Sequence, residues 1–264
     1  MLYKAGFIGC GNMGGALARA AASSIGGENI AVCDYDTNKT ALLCSECGAT
    51  ALSIKDIIMS CEFVFLGVKP QMMEDAIRPY VDVINDSYAV IVSMAAALEI
   101  SYFEHSLGIN RPIIRIMPNT PCSVGSGMIL YDCNNLVESN IENDFRTILK
   151  KAGTLDKLSE HLIDAGSAVS GCGPAFAFIF AEALADAGVE CGLPRDKAML
   201  YAAQMLKGSA ELLLQGDNPA VLKDRVCSPG GTTIAGVHAL ERNSFRAAAM
   251  DAVTSAYKRT LELK

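Results

Sequence analysis

A chain of 264 residues has room for a well-buried core and for two domains, since single cores stop growing near ~250 residues. With 51% hydrophobic and 19% charged residues and no repetitive tract, it reads as globular rather than disordered. The net charge of −7 is spread along the chain without any Lys/Arg cluster, which excludes nucleic acid as a partner.

Short apolar runs rich in β-formers alternate with helical patterns as far as residue 158, the pattern of a parallel sheet with crossover helices. The predicted strands are Lys4–Cys10, Ile30–Cys33, Phe63–Val68, Tyr88–Ser93, Ile113–Met117, Gly127–Tyr131 and Thr154–Leu158. Beyond Ser159 the periodicity predicts helices only: Pro174 to Gly188, Arg195 to Gln215, Pro219 to Val226, Thr232 to Glu241 and Ser244 to Leu263. The expected fold is therefore α/β, a Rossmann-type dinucleotide-binding domain (1–158) followed by an all-α domain (159–264).

The helix from Pro174 is apolar nearly all round, with Glu182 and Asp186 as its only charges, so it must be buried on every side. About a hundred residues of helix cannot easily surround it, and a homodimer is expected to complete its cover. The longest apolar stretches are broken by Glu, Asp or Gly before the ~20 residues of a membrane helix. No export signal fits ahead of the first strand, so a soluble cytoplasmic protein away from membranes is expected. Ten scattered cysteines suit a reducing compartment. Cys44-x-x-Cys47 has no second pair or nearby His, so no metal site is expected.

Gly9-Cys10-Gly11-Asn12-Met13-Gly14 fits G-x-G-x-x-G between a strand and a helix, where a dinucleotide pyrophosphate rests on free helix N–H groups. Gly9 permits the turn, Gly11 the approach of the backbone to the phosphates, and Gly14 close helix packing. Asp34 follows Gly14 by 20 residues, where an acidic side chain accepts the ribose 2′-hydroxyl and repels a 2′-phosphate, favouring NADH. The competing reading of Asp34 or Asp36 is a helix cap. Lys69, at the end of the strand Phe63–Val68, reads either as a cation for the cofactor or as a solvated loop lysine.

In Ser228-Pro229-Gly230-Gly231-Thr232-Thr233, bare backbone N–H groups at a helix start suit a carboxylate, and the Thr233 hydroxyl can donate or accept. A simple helix cap is the alternative. His105, His161 and His238 are poorer candidates, since lone histidines of this kind mostly pack or face solvent.

Three segments, Arg115-Ile116-Met117-Pro118-Asn119-Thr120-Pro121, Ser170-Gly171-Cys172-Gly173-Pro174-Ala175-Phe176 and Leu222-Lys223-Asp224 running on to Ser228 to Ile234, closely resemble the pyrroline-5-carboxylate reductases over essentially the whole chain. The resemblance implies NAD(P)H-linked reduction of Δ1-pyrroline-5-carboxylate to L-proline, by dimers that can assemble into decamers. It places Ile8, Gly9, Gly11, Asn12 and Met13 at the cofactor phosphates. Val68, Lys69 and Pro70, with Ala95, Ala96 and Ala97, fall along the nicotinamide half with Asn119 beside it. Ser228, Gly230, Gly231, Thr232 and Thr233 fall at the substrate, with Thr233 at the reacting nitrogen.

Two positions depart from the family, Ala97 where Gly is common and Asp34 where Ser meets the 2′-phosphate. A β-hydroxyacid dehydrogenase is the rival, but it requires a Lys after Gly-Pro and none stands between Gly173 and Gly192. A non-catalytic nucleotide sensor would not require the intact Ser228 to Thr233 loop.

Overall fold

The computed structural model describes residues 2–263. The chain divides into two compact units, residues 1–172 with 256–264 and residues 173–255. In the first, eight strands form one sheet: β1 (Tyr3–Ile8), β2 (Ile30–Cys33), β3 (Thr50–Ala51), β4 (Cys61–Leu66), β5 (Val90–Ser93), β6 (Ile113–Met117), β7 (Gly127–Cys133) and β8 (Gly153–Lys157). Their order is β3-β2-β1-β4-β5-β6-β7-β8. All neighbours are parallel except β6 and β7.

Side chains on these strands alternate between two cores. Ala5, Phe7, Phe63, Phe65, Val90, Val92, Ile114 and Ile116 face one core, with Phe7 and Phe65 stacked at 4.5 Å. Helices α1 (Asn12–Ile25), α2 (Thr37–Cys47) and, later in the chain, Ser139–Leu149 cover that face through Leu17, Leu43, Phe145 and Leu149. Ile8, Val64, Leu66, Ile91 and Ile113 face the other core. It is closed by α3 (Ile54–Ser60), α4 (Met73–Ile77) and α5 (Val81–Asp86) through Ile57, Met73 and Ile84. With Ser139–Leu149 as α6, chain order continues with α7 (Glu160–Ser170).

Helix α7 belongs with the sheet. Ile163 packs on Met117 and Leu130, and the wholly buried Arg115 of β6 pairs with Asp164 at 2.7 Å and with Glu160 at 3.4 Å. The division by contacts therefore falls one helix later than the expected boundary at 158 and 159. Sequence reading passed over β3, which is only two residues long.

The second unit holds α8 (Gly173–Glu190), α9 (Arg195–Leu213), α10 (Pro219–Val226), α11 (Thr232–Arg242) and α12 (Phe245–Glu262), the last with its end counted in the first unit. Helices α8 and α9 meet through small residues, where a Cβ on Gly188 would lie 3.2 Å from that of Ala198.

The expectation that α8 is buried on every side fails within one chain. Only Ala185 of α8 is buried, and Phe178 is 67% exposed. The expectation that no apolar stretch reaches membrane length needs correction too. The 31-residue helical run Glu160–Glu190 is long and apolar enough to cross a membrane by length and composition. Glycine was counted as a break there, yet the turn at Gly171 and Cys172 barely interrupts the run.

Candidate active site

Strand order reverses around β1, which has β2 on one side and β4 on the other, so a crevice opens at the carboxyl ends of these strands. A cleft of about 530 Å³ lies there. Ile8, Gly9, Gly11, Asp34, Val68 and Lys69 all line it. Gly9 has φ +96°, and a Cβ on it would come within 2.7 Å of the Gly67 backbone. A Cβ on Gly14 would run into the carbonyl oxygen of Gly9. β1, β4 and the start of α1 can converge only with glycine at these places.

Gly11 caps α1 without any side-chain hydrogen bond, and a Cβ on it would meet nothing within 4 Å. The first N–H groups of α1 are left uncovered, the geometry that receives a phosphate. These features fit a dinucleotide. Asn12 is exposed on the first turn, whereas Met13 packs against the core.

Asp34 is fixed by two backbone donors, the Cys10 N–H to Oδ2 at 2.6 Å and the Asp36 N–H to Oδ1 at 2.8 Å. It ties the end of β2 to the glycine loop. The helix cap is Asp36, which accepts from the Asn38 N–H at 3.1 Å. Burial and the neighbouring Asp34 push the Cys10 thiol up to about 12, so Cys10 behaves as a packing residue. Lys69 is exposed and, among the described residues, makes no ion pair, which leaves its charge available to a ligand.

The remaining cofactor candidates divide. Pro70 starts the turn that follows Lys69. Ala95 is buried, Ala96 is exposed, and Ala97 takes the left-handed conformation with φ +65°, where glycine is favoured. Asn119 is spent on the backbone. Its Nδ2 donates to Ser170 O at 2.8 Å, and its Oδ1 accepts from the Met128 N–H at 2.9 Å. Sequence reasoning missed Tyr35, Lys39, Ile54, Met72, Asp75 and Ala76, which also line the cleft. No motif marks them, because they come together only when β2 and β4 flank β1.

In the helical unit, α11 begins at Thr232 and is preceded by the cap residue Gly231, whose N–H bonds Ser228 O at 3.0 Å. Gly230 has φ +68°, and no side chain caps the helix. The cap alternative therefore fails for Thr233, which lies inside the first turn. Thr232 and Thr233 are exposed beside free backbone donors.

Fold and cleft together define a dinucleotide-dependent oxidoreductase. Residues 4–97 match the family model described as NADP oxidoreductase coenzyme F420-dependent, and residues 160–263 match the one described as pyrroline-5-carboxylate reductase dimerisation. The chain is 38% identical to the pyrroline-5-carboxylate reductase of Escherichia coli (strain K12), over 100% of this chain and 99% of that one. The solved pyrroline carboxylate reductase of Plasmodium falciparum, with NADP bound, superposes with a TM-score of 0.83 at 32% identity, covering 98% and 97% of the two chains. The Coxiella burnetii pyrroline-5-carboxylate reductase gives a TM-score of 0.90 at 29% identity, covering 100% and 99%. The chain belongs to the pyrroline-5-carboxylate reductase family.

Proposed function

We propose that this chain reduces the C=N bond of Δ1-pyrroline-5-carboxylate to L-proline with NAD(P)H. The observation that carries the substrate side is the start of α11, with free N–H groups, two glycines and no capping side chain. A ring of this size bearing one carboxylate needs an anion site and a partner for its nitrogen. Gly230 and Thr232 supply backbone donors to the carboxylate, the Gly231 N–H being bonded to Ser228 O, which shapes the loop, and Thr233 Oγ1 meets the nitrogen as it passes from iminium to amine. The reduced nicotinamide supplies the hydride. Ile8, Gly9, Gly11, Asn12 and Met13 hold the phosphates, and Lys69 places a positive charge along the cofactor. Val68, Pro70, Ala96 and Ala97 form the nicotinamide wall, with Ala95 and Asn119 shaping it from beneath.

NADH is the preferred form in this proposal, because the Asp34 carboxylate, held by two N–H donors, faces the place of a 2′-phosphate. Residues 159–264 form the substrate and dimerisation part. A second copy covers α8 and supplies the apolar surroundings that its composition demands, without lipid, and dimers assemble further into decamers in the cytoplasm. Light scattering tests the assembly.

The activity is tested by loss of nicotinamide absorbance with pyrroline-5-carboxylate and each reduced cofactor, where no decay with either would refute it. Thr233→Ala should lower kcat and kcat/KM together by about 10²-fold and leave cofactor affinity unchanged. Unchanged kinetics would remove Thr233 from the site.

A further inference from the structure

We infer that Tyr35 and Met72 clamp the adenine of the dinucleotide, an inference that rests on the cofactor reading of the cleft. Tyr35 follows Asp34 at the end of β2, and Met72 lies in the short turn Pro70–Met72 after β4. They reach the same cleft from the two strands that flank β1, one on each side of the glycine loop. Tyr35 is wholly exposed and, among the described residues, makes no hydrogen bond or ring contact, while Met72 is 58% exposed.

Tyr35, an aromatic ring with both faces in water, and Met72, an exposed thioether, line one cleft that a flat base can enter. Bases stack on aromatic side chains irrespective of sequence or charge, and sulfur contacts ring systems favourably. The base belongs to the adenosine half, because Asp34, one residue earlier, stands where the ribose hydroxyl of that half is read. Stacking does not sense the 2′-substituent. Tyr35 therefore sets affinity for NADH and NADPH alike, and Asp34 sets the choice between them. Since Tyr35 holds no part of the fold, its removal leaves the protein folded.

The test is the binding of NADH, NADPH and AMP to the full-length enzyme and to Tyr35→Ala and Tyr35→Phe. The chain contains no tryptophan, so bound nicotinamide emission is read against tyrosine alone. Tyr35→Ala should weaken all three ligands by roughly tenfold, the worth of one stacked base. Tyr35→Phe should match the parent, as should reduced nicotinamide mononucleotide with either variant, and the loss should fall on the cofactor KM rather than on kcat. Parent-like AMP and NADH binding by Tyr35→Ala overturns the clamp while the cofactor reading stands. A parent enzyme that binds neither dinucleotide overturns both.

Discussion

Replacing Asp34 with Ser separates two roles that the structure gives one carboxylate. The side chain accepts the Cys10 N–H at 2.6 Å and the Asp36 N–H at 2.8 Å. Hydrogen bonds to a charged acceptor contribute about 1.5–3 kcal/mol each, and a single hydroxyl can keep only one of them. Because Asp34 is half exposed, the low end applies, and the cofactor-free variant should lose about 2 kcal/mol of stability. Removing the negative charge should also shift preference toward NADPH by ~1–3 kcal/mol, or roughly 5- to 150-fold in the ratio of kcat/KM values. Urea unfolding without cofactor reads the first effect, and steady-state kinetics with both cofactors reads the second. A loss of stability with a ratio within about twofold of the parent would show that Asp34 serves only the loop. Strong NADPH preference in the parent would refute the charge argument directly.

Asp164→Ala strips the buried Arg115 of its 2.7 Å partner, and with Glu160 left at 3.4 Å the cost should be about 3 kcal/mol, at the low end for a broken buried pair. Arg115→Met combined with Asp164→Leu should recover most of it, and a loss under about 1 kcal/mol in urea unfolding at fixed protein concentration would contradict this. Ala97→Gly removes a left-handed alanine at φ +65° and should gain roughly 0.5 kcal/mol after the added freedom of the unfolded chain is subtracted, so a lower Tm would count against it. A hydrogen bond from Lys157, aided by Tyr131, holds the Glu142 carboxyl below its ordinary 4.5. That contribution is present above about 4.5 and is lost as pH falls through the lower folded value. Glu142→Gln should therefore melt below the parent at neutral pH and approach it in acid, and a gap independent of pH would exclude this linkage.

Much of the first unit was legible because its signals are local. Short apolar runs rich in β-formers mark β1, β4, β5 and β6, and glycine spacing marks the turn after β1. What escaped depends on residues distant in sequence. Arg115 is a charge inside an apolar strand, and its partner lies 49 positions on. Gly67, at the end of the predicted strand Phe63–Val68, carries no mark of its own, yet its backbone sits against Gly9. Asn119, expected beside the nicotinamide, has its amide joined to Ser170 and Met128, a pairing that only the folding of α7 against β6 and β7 creates. In the helical unit, pattern told where the helices lie but not what covers them, and in α8 only Ala185 is buried.

The chemistry explains why so little of the site is acid or base. Hydride comes from the cofactor, so the protein must orient two ligands, neutralise one carboxylate and follow one nitrogen. In the proposed function, backbone N–H groups at the starts of α1 and α11 meet those demands, with charge needed only at Lys69 and Asp34. Four side chains whose acidity the fold shifts, Lys4, Tyr131, Glu142 and Lys157, are engaged elsewhere, in the ion pairs and hydrogen bonds that fasten the sheet and α6. Such shifts mark catalysis or structure according to where they lie, and none of these four lines the cleft. In the proposed function glycines and helix termini carry recognition, so a reading of where glycines precede helices points to them where a reading centred on histidines and carboxylates does not.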